Sequence, residues 1–124
     1  MKSALVLSED MNLFEHFAAL ITANGGVRSE DGVAQLVDPQ GRMLTLFHLE
    51  SDNDLTLPPT RVVGMSPPAS LTSLAVCSVE CRWEAMVVYW VRRVAIETTS
   101  EVWLLDSDGV LWSSEAVDAT ALRL

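Results

Sequence analysis

Three groups of residues in this chain are of types that can do chemistry. The first is Asp106-Ser107-Asp108-Gly109, two carboxylates placed directly behind the apolar run Val102–Leu105. The second is Glu50-Ser51-Asp52-Asn53-Asp54, a string of oxygen ligands of the kind a hard cation such as Ca²⁺ prefers. It lacks EF-hand spacing, the turn glycine and the terminal Glu, so it reads as a solvated acidic loop. The third is Cys77 and Cys81 with the two histidines, His16 and His48. A zinc site would need all four, and buried structural thiols are the plainer reading. Ser8, Ser66 and Ser78 lack a G-x-S-x-G context. Gly25-Gly26 follows a helical pattern instead of opening one, so it is a helix stop and not a phosphate loop. The expectation is no catalytic residue, no metal and no cofactor.

Val102-Trp103-Leu104-Leu105-Asp106-Ser107-Asp108-Gly109 resembles the first motif of haloacid-dehalogenase-like phosphatases. That resemblance implies a nucleophile at Asp106, an acid/base at Asp108 and Mg²⁺ between them. The family also needs a hydroxyl residue, a Lys or Arg and further acidic ligands beyond the motif, and only 15 residues follow Gly109. An Asp-Gly hairpin turn explains the same residues: Gly supplies a positive φ and Asp satisfies the turn backbone. Residues 38–41, Asp-Pro-Gln-Gly, repeat that placement without the second Asp.

The elements that would position these residues come in two similar sets. Ala4–Leu7 is a short apolar run suited to a buried strand. Ser8 is a candidate N-cap, and Glu9 and Asp10 suit the start of a helix. Leu13, Phe14, Phe17, Leu20 and Ile21 then share one helical face. Val33–Val37 and Met43–Leu49 flank the Asp38–Gly41 turn as a hairpin. In the second set, Leu71–Cys77 reads as a strand and about Val79 to Ile96 as a helix with Trp83, Met86, Val87, Trp90, Val91 and Val94 on its apolar stripe. Val102–Leu105 and Val110–Trp112 make the second hairpin.

The fold class expected is α+β: two βαββ-like halves, 4–49 and 71–112, in one domain. They form one mixed, largely antiparallel sheet of six principal strands with two main helices on one face. A Pro-rich acidic connection, 50–70, joins them, with room for an edge strand at Thr60–Gly64. The tail 113–124 should fray unless Leu122 and Leu124 dock. Both hairpins carry apolar side chains on both faces, so the second face of the sheet needs the connection, a second copy of the chain or a partner protein to cover it.

The 124 residues can bury a core without disulfides. The chain is 49% hydrophobic and carries a net charge of −9. That balance repels nucleic acid and anionic membranes; by charge alone it reads first as a solvated acidic surface and second as attraction to a basic partner. Arg92-Arg93 is an isolated basic pair. Seven of the eight basic residues are Arg, which suggests a GC-rich bacterial or phage genome. The N-terminus does not read as an export signal and no run is long enough to span a membrane, so a cytoplasmic location is expected.

In size, acidity and lack of catalytic motifs the chain resembles the immunity proteins of bacterial polymorphic-toxin and contact-dependent inhibition systems. The hairpin from Trp103 to Trp112 and the Glu115–Asp118 tail are its closest approach to a signature. The resemblance implies a protein that covers a cognate, basic toxin domain. Contacts would come from Glu50, Asp52, Asp54, Asp106 and Asp108, with Trp112 as an anchor. A phage or mobile-element inhibitor of a host defence or regulatory factor fits the same acidity, and a homo-oligomeric structural or ligand-sensing domain, with a homodimer as one form, fits the two-faced strands.

Overall fold

Alternating apolar residues build most of this molecule. In the computed structural model, which describes residues 2–49, 58–68 and 70–124, they form strands β1 (Ser3–Ser8), β2 (Val27–Ser29), β3 (Val33–Val37), β4 (Met43–His48), β5 (Arg61–Val63), β6 (Ala75–Cys81), β7 (Val102–Leu105) and β8 (Val110–Ser113). The helices are α1 (Leu13–Ala23) and α2 (Glu84–Thr98). The strands join one sheet in the order β2-β3-β4-β6-β1-β7-β8-β5. Every pairing is antiparallel except that of β5 with β8. This is the expected α+β class, with short edge strands β2 and β5 added to the six principal ones.

The two halves are not placed symmetrically. The β7–β8 hairpin sets its first strand against the sheet centre, whereas the β3–β4 hairpin sets its second there. The strand β6 is as long as the expected Leu71–Cys77 strand but lies four residues further along, and α2 begins later. Cys77, Val79 and Cys81 are buried and alternate with the half-exposed Ser78 and Glu80, a period of two that holds to Cys81. Leu71–Ser73 is a 3-10 turn. Trp83 therefore precedes α2 and is exposed, not part of the core stripe.

Ser8 ends β1 and is not a helix cap. Its hydroxyl accepts from the Asp10 N–H (3.1 Å) and donates to the Glu101 carbonyl (2.9 Å), tying the start of the α1 connection to that of β7. At the other end of α1, Gly26 allows the chain to turn tightly. A Cβ there would collide with the Ile21 side chain and the Gln35 carbonyl.

Both helices pack on one face, over Val6, Leu36, Leu44, Leu46, Val79, Val102 and Leu104. The opposite face carries Leu7, Val76, Trp103 and Leu111, buried with Leu71 and Leu74. The Trp103 indole N–H donates to the Met65 carbonyl at 2.9 Å. Leu71 and Leu74 thus cover that half of the second face, and the described part of the connection meets it through the Met65 carbonyl.

The tail is docked, with single turns closed by the Val117 N–H on the Ser113 carbonyl (3.1 Å) and the Leu122 N–H on the Asp118 carbonyl (2.9 Å). Val117 and Leu122 are buried in the helix-side core. The Arg92 guanidinium donates to the carbonyls of Ser114 (3.2 Å) and Val117 (2.7 Å), and the Ser107 N–H donates to the Arg123 carbonyl (2.8 Å). The tail lies where a third helix would cover β7 and β8. Leu122→Ala should lower stability by about 2–4 kcal/mol, as for other buried leucines. Urea unfolding should show a lower midpoint with an unchanged slope. A midpoint within error of wild type would mean that the tail contributes no core.

Candidate functional site

The strands fix which charged loops share an end of the molecule. The chain leaves β1 at Ser8, which pairs with Ala75 at the start of β6 and Val102 at the start of β7. Around this end lie Glu9 and Asp10 after β1, Glu30 and Asp31 between β2 and β3, Glu97 in the last turn of α2, Glu101 before β7, and Glu115 after β8. The loops 9–12, 30–32, 99–101 and 113–117 contain no Lys or Arg. Arg92 reaches this end but is bound to the Ser114 and Val117 carbonyls. Arg28 is held bidentate by Glu15 (2.6 and 2.8 Å), and the Arg28 guanidinium keeps the Glu15 carboxyl below its ordinary value. Lys2, Arg42, Arg61, Arg82 and Arg123 sit toward the opposite end. The charge is polarised along the strands.

The end of α2 deepens this polarity. No basic residue lies in its last turn, so the negative pole of the helix faces outward beside Glu97. Thr99 caps it in the left-handed region, at φ 56°, where glycine is the favoured residue. A shallow depression of about 660 Å³ opens here between α2 and the β8 exit, lined by Arg92, Ile96, Thr99, Glu101 and Glu115 among others. A second, of about 430 Å³, adjoins it along α2, sharing Arg92 and Ile96 and reaching Tyr89 and Ala119. Ile96 lines both and is 72% exposed, with Tyr89 52% exposed two turns earlier.

The residues expected as contacts are distributed differently. Glu50, Asp52 and Asp54 lie outside the described residues. Asp106 and Trp112 are only 6% and 4% exposed and bind each other: the Trp112 indole N–H donates to Asp106 Oδ2 at 3.0 Å. As folded, both side chains present little surface to a partner. Asp106 Oδ1 accepts from the N–H groups of Asp108 and Val110 at 3.0 Å each. Oδ2 also takes the Arg123 N–H, at 3.4 Å. A carboxylate so engaged inside a turn is not free to attack a phosphate, and Asp108 lies exposed beside it. Asp108 sits in the β7–β8 turn, at the end away from Glu101 and Glu115. Asp38 builds the same clamp in the first hairpin: Oδ1 accepts from Gln40 and Arg42 N–H (2.9 Å each), and Oδ2 takes Arg42 Nε (2.7 Å) where Asp106 takes an indole.

His48 and Cys77 face each other in register on β4 and β6. The Cys77 thiol is fully buried, and burial pushes its pKa up, which disfavours the thiolate a nucleophile needs. Burial also raises Cys81. His48 packs on Phe14, ring centroids 5.1 Å apart. Among the described residues no group of three or more His, Cys, Asp or Glu is arranged to hold a metal ion. No helix among them is long and apolar enough to cross a membrane. Compared with known proteins, the chain matches no family model, no curated protein and no solved structure.

Sequence reasoning missed the acidic end and the Tyr89–Ile96 ridge. The signal for the ridge was present: two large apolar residues seven apart, on the helix face opposite Val87, Val91 and Val94.

The two Asp clamps should differ under mutation. Asp106→Ala leaves a buried indole and backbone N–H groups unpaired and should cost about 2–4 kcal/mol. Asp38 should cost less to replace. Desolvation pulls its pKa upward, but the backbone N–H and guanidinium of Arg42 outweigh that and hold it below its ordinary 3.8. A lowered carboxyl stabilises the fold above its unfolded value and loses that contribution as pH falls through its folded value. The stability gap between wild type and Asp38→Asn, read from denaturant midpoints, should be full at neutral pH and close below 3.8. A gap that is flat with pH would exclude this ionic clamp.

Proposed function

We propose that this protein binds and neutralises a basic partner protein, in the manner of an immunity protein covering a bacterial toxin domain. The observation that carries this reading is the polarised charge. One end of the sheet presents Glu9, Asp10, Glu30, Asp31, Glu97, Glu101 and Glu115 from loops without Lys or Arg, on a chain with net charge −9. Such a field accelerates encounter with a basic surface and repels nucleic acid. Carboxylates on these loops also suit the places where a basic enzyme would hold an anionic substrate. Thr99 in a strained conformation beside Glu101 and Glu115 is consistent with an end shaped for contact instead of stability.

The test is affinity capture from the native host, mass spectrometry of the co-purifying protein, and association kinetics with that protein purified. A stoichiometric basic partner is expected, whose association rate falls as salt rises. Replacing Glu97, Glu101 and Glu115 together with Gln should slow association by about tenfold at low salt and much less at high salt. A captured partner that is acidic, or whose association ignores both salt and these substitutions, would remove the basis for this function.

A further inference from the structure

We propose that the outer ridge of α2 is the anchor of the interface. Ile96 and Tyr89 would enter an apolar recess of a basic partner protein, while that partner's Lys or Arg side chains meet Glu97, Glu101 and Glu115. This rests on the binding function above and names the surface that performs it.

The ridge is unusual for a solvent-facing helix side. The inward stripe of α2 is complete with Met86, Val87, Trp90, Val91, Val94 and Thr98. The outward side should then be polar. Instead it presents Tyr89 and Ile96, seven residues and about two turns apart. Ile96 lines both adjoining depressions and stands 72% exposed, so its side chain is open to an apolar surface of a partner.

Tyr89 is already held in place. Its ring meets Trp90 edge-on, centroids 5.0 Å apart at 84°. Its hydroxyl accepts from Arg93 Nη1 at 3.0 Å, and the Arg93 guanidinium lies 5.8 Å from its ring centroid. A fixed aromatic loses little rotamer freedom on binding, which is what gives tyrosine its strength as an interface anchor.

Charge selects the occupant. Immediately beyond Ile96 come Glu97, the uncompensated negative pole of α2 and Glu101, with Glu115 across the depression. Arg92 is bound to backbone carbonyls and Arg93 lies against Tyr89 and Trp90, so neither is directed at that rim. A partner's Lys or Arg would satisfy the rim and complement the helix pole. A second copy of this chain would bring another charge of −9 against it.

Two synthetic peptides of equal positive charge test this by calorimetry and amide chemical-shift mapping on the full chain. One is oligolysine. The other is an amphipathic helix that alternates lysine with leucine at helical spacing. Both should bind at low salt, the amphipathic peptide at least about tenfold tighter, because burying even one large apolar side chain can supply that factor. Its shifts should centre on Tyr89, Ile96 and Glu97. Ile96→Ser and Tyr89→Ser should each erase most of the advantage and leave oligolysine affinity unchanged. Circular dichroism should confirm the fold of both variants. If the amphipathic peptide gains nothing, or its gain survives both substitutions, the ridge is not the anchor, although binding through charge would stand. If neither peptide binds at low salt, the function proposed above fails as well. If light scattering finds a dimer that Ile96→Ser dissociates, the ridge is covered by a second copy and the proposal is overturned.

Discussion

A sheet whose strands carry apolar side chains on both faces must be covered twice, and two helices can cover only one side. Much of the irregular structure answers that requirement. The helices lie over Val6, Leu44, Leu46, Val79 and Leu104, and leave the β8 side of the same face to the tail, which fills it with Val117 and Leu122. The opposite face is closed around Trp103, Leu7 and Val76 by Leu71 and Leu74. Segments without regular structure therefore serve as core here, and their polar backbone groups find specific partners: Met65 takes the Trp103 indole, and Ser114 and Val117 take the Arg92 guanidinium.

The same packing sorts the surface. Because α2 runs toward the Ser8 end of the sheet, its negative pole arrives where Glu101 and Glu115 also emerge. The two Asp clamps sit at the other end, where hairpin register is set. A one-residue slip there would turn Leu44 and Leu46, or Val102 and Leu104, away from the helices. A carboxylate that collects several turn N–H groups defines a single loop geometry and so opposes such a slip. One end of the molecule specifies the fold and the other is free to carry charge.

The hairpins and the α1 face were legible in the sequence because their apolar periods are strong and their Asp…Gly turns are explicit. The start of α2 was not. Val79 to Trp83 satisfies a helical pattern as well as a strand pattern, and only pairing with β1 and β4 decides between them. Sheet order was likewise hidden, since nothing local tells a hairpin which of its strands to set against the centre. The acidic end escaped notice because its members are scattered from Glu9 to Glu115 and converge only through topology. The burial of Asp106 was not legible for a simple reason: aspartate in a turn usually faces water, and here its burial depends on an indole six residues away and on a tail that closes over it.

β1 sits between β6 and β7, whose paired residues lie roughly seventy to one hundred positions further along the chain. Remove β1 and the second half is a sheet with a strand-wide gap. Remove β6 and the first half has the same gap between β4 and β1. Neither half can finish its own hydrogen-bond ladder, so closure of the longest loops must precede most of the gain from pairing. Folding should accordingly be slow and cooperative, without a stable half-molecule along the way. A backbone broken between the halves would yield two fragments that order only by inserting a strand into each other, which makes this fold a natural candidate for reconstitution from two separately expressed pieces.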